Sequence, residues 1–166
     1  MIGTGISKMQ FKDHLIELFE FNDKTNKKLF KKIGTLDDQA ECIRFASHLI
    51  NCQYRWMMRL TDSERAAEMS WWTPLYTLDQ LEDEWNKSIQ PWFDFIRSQT
   101  DEELATERVF IGMDGGDWAA TPRDIALQLN FHSIHHRAQI QMIIRGQDVE
   151  PDFVDFIGTK ARKLNW

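Results

Sequence analysis

Five histidines occur in the 166 residues, and His132 and His136 stand four apart. On an α-helix this spacing puts two side chains one turn above another on the same face, close enough to share one metal ion. Both fall in the apolar series Ile125, Leu129, His132, His136, Ile140 and Ile143, so they are expected to face inward. Burying two imidazoles side by side is unfavourable unless each finds a partner, and a divalent cation satisfies both at once. Hydrogen-bonded core histidines are the bland alternative. His48 borders the inward stripe of an earlier helix and is the best third ligand. Three histidines from two helices leave coordination positions open, as a catalytic or substrate-binding metal requires. Zinc and nickel suit imidazole best, with iron and manganese also open. His135 points about 100° away from His136 around the helix. His14 lies off its helix's main stripe and is expected at the surface, and Arg137 is expected in a helix-surface ion pair.

Other chemistries find little support. No histidine has Glu three residues before it, as a di-iron carboxylate bundle needs. There is no His-Glu-x-x-His, no Gly-x-Ser-x-Gly and no Walker phosphate loop. Gly3-Thr4-Gly5 begins a glycine-rich pattern but precedes any strand. Cys42 and Cys52 lie ten apart on one helix, too far to bond to each other, and read as core residues without metal-site spacing.

Four helical blocks must position the histidines. Phe11, Leu15, Leu18, Asn22, Thr25, Leu29 and Ile33 mark the first, closed by Gly34. Its stripe is interrupted by Asn22 and Thr25, which suit either a locally solvated face or the border of a polar site. Cys42, Phe45, Leu49, Cys52, Trp56 and Leu60 mark the second. An aromatic stretch from Thr61 to Thr77, holding Trp71 and Trp72, is expected to pack over the bundle end or a partner subunit. The third block opens on a Thr77/Gln80 capping box, carries Leu78, Leu81, Trp85, Ile89, Trp92 and Ile96, and is expected to kink near Pro91. Val109 to Ile111 and Trp118 to Ala120 can form a small hairpin around Asp114-Gly115-Gly116-Asp117. Thr121, Pro122 and Asp124 open the fourth block and Gly146 ends it. An apolar tail at Phe153, Val154, Phe156 and Ile157 is expected to pack across the bundle. The fold class is therefore all-α, a single four-helix-bundle domain over residues 1–166 with a small hairpin before the last long helix.

Composition narrows the function. A net charge of −6 and the lack of clustered Lys and Arg argue against nucleic acid. The short basic face of Lys24, Lys27, Lys28, Lys31 and Lys32 is favoured by the helix dipole at a helix end. The longest stretch without Asp, Glu, Lys or Arg is twelve residues, Ile125 to His136, whereas a membrane span needs roughly 20 apolar residues. Met1 to Met9 carry no secretory pattern, and a reducing cytoplasmic location is expected.

The run Asn130-Phe131-His132-Ser133-Ile134-His135-His136-Arg137-Ala138-Gln139-Ile140 resembles the His-x-x-x-His-Arg-x-Gln signature of the DinB/YfiT-like superfamily, whose members are metal-binding four-helix bundles. Thr121-Pro122-Arg123-Asp124 is similar to the opening of that family's last long helix. Ser47-His48-Leu49-Ile50-Asn51 followed by Trp56, and the pair Asn22 and Asn26, are similar to its second- and first-helix patterns. Ala138 departs from the glycine of many members. The resemblance implies a metal triad at His48, His132 and His136. It further implies a metal-dependent transferase using a low-molecular-weight thiol, or a metal-dependent hydrolase, with the metal-bound group rather than a protein side chain as nucleophile. Asn22, Thr25, Asn51 and Gln139 are then candidates for orienting the substrate or a ligand histidine. The partners expected are a small thiol, an electrophile and a second copy of the chain in a homodimer. The competing reading is a non-catalytic, metal-stabilised bundle acting as a dimeric binding or stress-response module.

Overall fold

The computed structural model describes residues 11–164, so the Gly3-Thr4-Gly5 pattern lies outside the described residues. Four long helices dominate: α1 (Phe11–Ile33), α2 (Ala40–Thr61), α4 (Leu78–Ser98) and α6 (Pro122–Arg145). Two short helices, α3 (Ser63–Glu68) and α5 (Asp101–Ala105), and an antiparallel pair, β1 (Arg108–Ile111) and β2 (Asp117–Ala120), fill the connections. A 3₁₀ turn at Ile157–Thr159 follows α6. Each of α1 and α2 packs against both α4 and α6, while α1 and α2 scarcely touch, which places them at opposite corners of a four-helix bundle.

The helices begin and end where their sequence signals lie. Thr121 Oγ1 accepts from Asp124 N at 3.1 Å with Pro122 at the first helical position, and Gln80 Oε1 accepts from Thr77 N at 3.0 Å. α4 runs on through Pro91 without interruption. The core takes Leu15, Ile33, Leu81, Trp85, Trp92, Ile96 and Ile140 from the expected stripes and adds Phe19, Ile50 and Ile144, which lie outside them, all fully buried. Phe11, Leu18, Phe45, Trp56, Leu60 and Ile143 of those stripes are only partly buried. Trp92 Nε1 donates to Gln53 C=O at 3.0 Å and Trp85 Nε1 to Asp23 Oδ1 at 2.9 Å, so each buried indole finds an acceptor.

The hairpin forms with Val109 opposite Ala119 and Phe110 opposite Trp118, its turn carrying Gly115 at a positive φ of 80°. Ser63 Oγ accepts from Ile111 N at 2.6 Å and ties the hairpin to α3. The stretch between α2 and α4 includes the short helix α3, which Asp62 starts by capping Arg65 N. One expectation needs correction. The apolar tail packs only in part: Phe156 meets Phe21 edge to face at 5.2 Å, whereas Phe153 is 90% exposed and Ile157 is also exposed. Among the described residues no helix is long and apolar enough to cross a membrane. Cys42 and Cys52 are buried free thiols.

Candidate metal centre

α2 and α6 pack along the bundle, and His48, His132 and His136 converge between them. His48 Nε2 lies 3.3 Å from His132 Nε2, and His136 Nε2 lies 2.9 Å from the same atom. Two rings are fixed from behind. His48 Nδ1 sits 2.7 Å from the Trp71 carbonyl and His136 Nδ1 sits 2.6 Å from Gln139 Oε1. Both partners are acceptors, so each Nδ1 carries the proton and donates, which leaves the two Nε2 atoms bare. His132 Nε2 therefore faces two lone pairs and offers one hydrogen at most. At least one of the contacts sets lone pair against lone pair unless a cation lies among the rings.

Protonation does not remove this conflict near neutral pH. Burial, reinforced by the neighbouring imidazoles, holds His132 and His136 down at about 4, with the Gln139 hydrogen bond opposing the shift at His136. Burial lowers His48 as well, against the pull of the Trp71 carbonyl.

Cys52, one turn after His48, is a core residue as expected but also joins the group, so only the reading that it lacks metal-site spacing needs correction. Its Sγ lies 3.6 Å from His48 Nε2 and 3.7 Å from Nδ1. His48, Cys52 and His132 form a largely buried group able to hold a metal ion, with one ligand atom from each all within 4.8 Å of one another. His136 is not part of that set of mutually close ligand atoms and adjoins it through its Nε2, 2.9 Å from His132 Nε2. Burial pushes the Cys52 thiol up to about 12. Its sulfur is nearly equidistant from the two ring nitrogens of His48.

Aromatic rings clamp the imidazoles. Trp72 stacks on His48 with centroids 3.9 Å apart and planes 13° from parallel, and Phe45 stacks on His136 at 5.2 Å. The aromatic stretch before α4 therefore covers the histidines. Tyr76 N donates to Ser47 Oγ at 3.0 Å and Asn51 Nδ2 to Pro74 C=O at 3.0 Å, tying that stretch down to α2. A cavity of about 200 Å³ opens on the cluster, lined by His48, Cys52, Trp56, Trp71, Gln128, Leu129 and His132.

The remaining candidates take separate places. Gln139 orients His136. Asn51 holds the covering stretch, and Tyr76 Oη donates to its Oδ1 at 3.3 Å. Asn22 Oδ1 and Thr25 Oγ1 both accept from Arg137 Nη1, at 3.1 and 2.9 Å. Arg137 is therefore not in a surface ion pair: it is 4% exposed, and burial lowers it to about 10. Asn26 Nδ2 extends this buried polar layer to Ser133 Oγ at 3.0 Å. His135 is exposed, and His14 is half-buried beside Glu17. Sequence reasoning missed Cys52, although its four-residue spacing from His48 was a signal, and the ring contacts of Phe45 and Trp72, for which there was none.

Fold and donors together define a class: a four-helix bundle able to hold one metal ion between its second and last long helices. More specifically, the chain belongs to the DinB superfamily, whose family model matches residues 42–140, from α2 into α6 and across every donor named above. No match to a curated protein or to a solved structure was found.

Proposed function

We propose that His48, His132 and His136 bind a divalent metal ion through their Nε2 atoms, and that the protein is a metal-dependent transferase of a low-molecular-weight thiol or a metal-dependent hydrolase. The convergence of three Nε2 atoms, two of them bared by their Nδ1 hydrogen bonds, is the observation that carries this reading. His136 is favoured over Cys52 as third ligand because its Nε2 lies 2.9 Å from that of His132, while the Cys52 sulfur stands beside the His48 ring, 3.6 and 3.7 Å from its two nitrogens. Nitrogen donors of this kind suit zinc or nickel. When bound, such an ion supplies a Lewis acid that lowers the pKa of a thiol or water.

The chain's own residues would do the rest. Trp71 and Gln139 hold two ligand rings in one tautomer and orientation. Trp72 and Phe45 restrict their tilt. The cavity admits a small ligand beside His132, with Gln128 as a polar wall group and Trp56 and Leu129 as apolar ones. This opening supports an enzyme over a purely structural site. Elemental analysis tests the reading: the purified chain should hold one divalent ion, and His136→Ala should lose most of it. Undiminished occupancy in His136→Ala would remove that ligand from the set. A screen for thiol loss with several small thiols and electrophiles then separates the transferase from a non-catalytic bundle.

A further inference from the structure

One and two turns beyond Cys52 on α2, Arg55 and Arg59 stand four residues apart and are 7% and 4% exposed. A guanidinium carries five N–H donors and stays charged at any pH a cell reaches. Arg55 Nε, Arg59 Nε and Arg59 Nη2 are buried with no hydrogen-bond partner. Among the described residues no carboxylate pairs with either group. Their surroundings are aromatic instead. Arg55 lies 4.1 Å over the Trp71 ring, and Arg59 lies 4.5 Å over Trp56, 5.0 Å over Trp71 and 5.3 Å over Phe110.

Ring faces return only part of what dehydrating a guanidinium costs, and two like charges side by side add repulsion. Burial, then the charge of Arg55, lowers Arg59 accordingly. Buried charges in proteins are paired, and the planar fork of an arginine matches the two oxygens of a carboxylate or phosphate. We propose that Arg55 and Arg59 form an anion-binding site that takes one compact oxyanion group, a carboxylate or a phosphate, among the rings of Trp56, Trp71 and Phe110. The site stands apart from the metal ligands but adjoins them. Trp71 and Trp56 also wall the cavity at His48, and the Trp71 carbonyl accepts from His48 Nδ1. An anion here is either free or the charged end of a ligand that enters that cavity.

The test uses the full chain after chelation, so that a metal ion cannot bind the anion itself. Inorganic phosphate and acetate are each titrated at ionic strength held constant with chloride, while tryptophan fluorescence and the thermal midpoint are followed. Saturable binding of at least one is expected, raising the midpoint by about 5 °C or more at a hundredfold excess over Kd. Whichever binds tighter identifies the group. Arg59→Met should weaken binding at least about tenfold, and Arg59→Lys, which keeps the charge but loses the fork, by less. In anion-poor buffer Arg59→Met should melt at or above the parent protein, because an unpaired buried charge has been removed. Responses to phosphate and acetate no greater than to chloride would overturn the proposal, as would parental affinity in both Arg59→Met and Arg59→Lys.

Discussion

Replacing Gln139 by Leu isolates the contribution of a residue that touches no metal yet fixes a ligand. Its Oε1 accepts from His136 Nδ1 at 2.6 Å, and no other hydrogen bond to that ring nitrogen exists among the described residues. Leucine keeps the volume and removes the acceptor. His136 is then free to rotate or to move its proton to Nε2, which would cancel it as a ligand in that tautomer. A lost partner of this kind weakens metal binding about 10- to 100-fold, or about 1.4 to 2.8 kcal/mol, in line with the strength of a hydrogen bond to a charged group. The reverse substitution, Gln139→Glu, should tighten binding, because a carboxylate behind Nδ1 raises the basicity of the ring. Competition against a chromophoric chelator at pH 7.5 measures both. Parental affinity in Gln139→Leu, with Gln139→Glu no tighter, would refute the orienting role.

Three further expectations follow from the same geometry. The folded-state pKa values of His132 and His136 are depressed to about 4 from 6.5, so the unfolded chain binds more protons between these values. Metal-free protein should hold its full stability above about pH 6.5 and lose it as pH falls toward 4, by less than about 3 kcal/mol per ring after solvent screening, as urea melts at pH 7.5 and 4.5 would show. Cys52→Ala should retain metal affinity within about threefold while costing about 1 kcal/mol of folding stability, and loss of the metal would make the sulfur a ligand. Trp72→Ala removes the ring stacked on His48 and should weaken metal binding about 2- to 10-fold, whereas an unchanged affinity would show that the stack does not position His48.

Local signals made much of the bundle readable. The start of α6 follows from Thr121, Pro122 and Asp124, and the hairpin from a turn-forming run between two short β-prone stretches. The inward position of His136 follows from its place among Leu129, Ile140 and Ile143. What stayed hidden depends on contacts between distant segments. Arg137 looks like a surface residue until α1 supplies Asn22 and Thr25 more than a hundred positions away. The burial of Arg55 and Arg59 also depends on distant segments, since nothing local announces that Trp71 and Phe110 will close over them. Cys52 was camouflaged by falling on an apolar stripe. The exposure of Phe153 shows the converse, a residue whose type implies burial at a place where the tail leaves the bundle.

X-ray absorption at the metal edge of the loaded protein tests the central assignment most directly. Three imidazole nitrogens at about 2.0 to 2.1 Å, with no sulfur near 2.3 Å, are expected for zinc held by His48, His132 and His136. A sulfur scatterer at that distance, lost in Cys52→Ala and untouched in His136→Ala, would contradict the assignment.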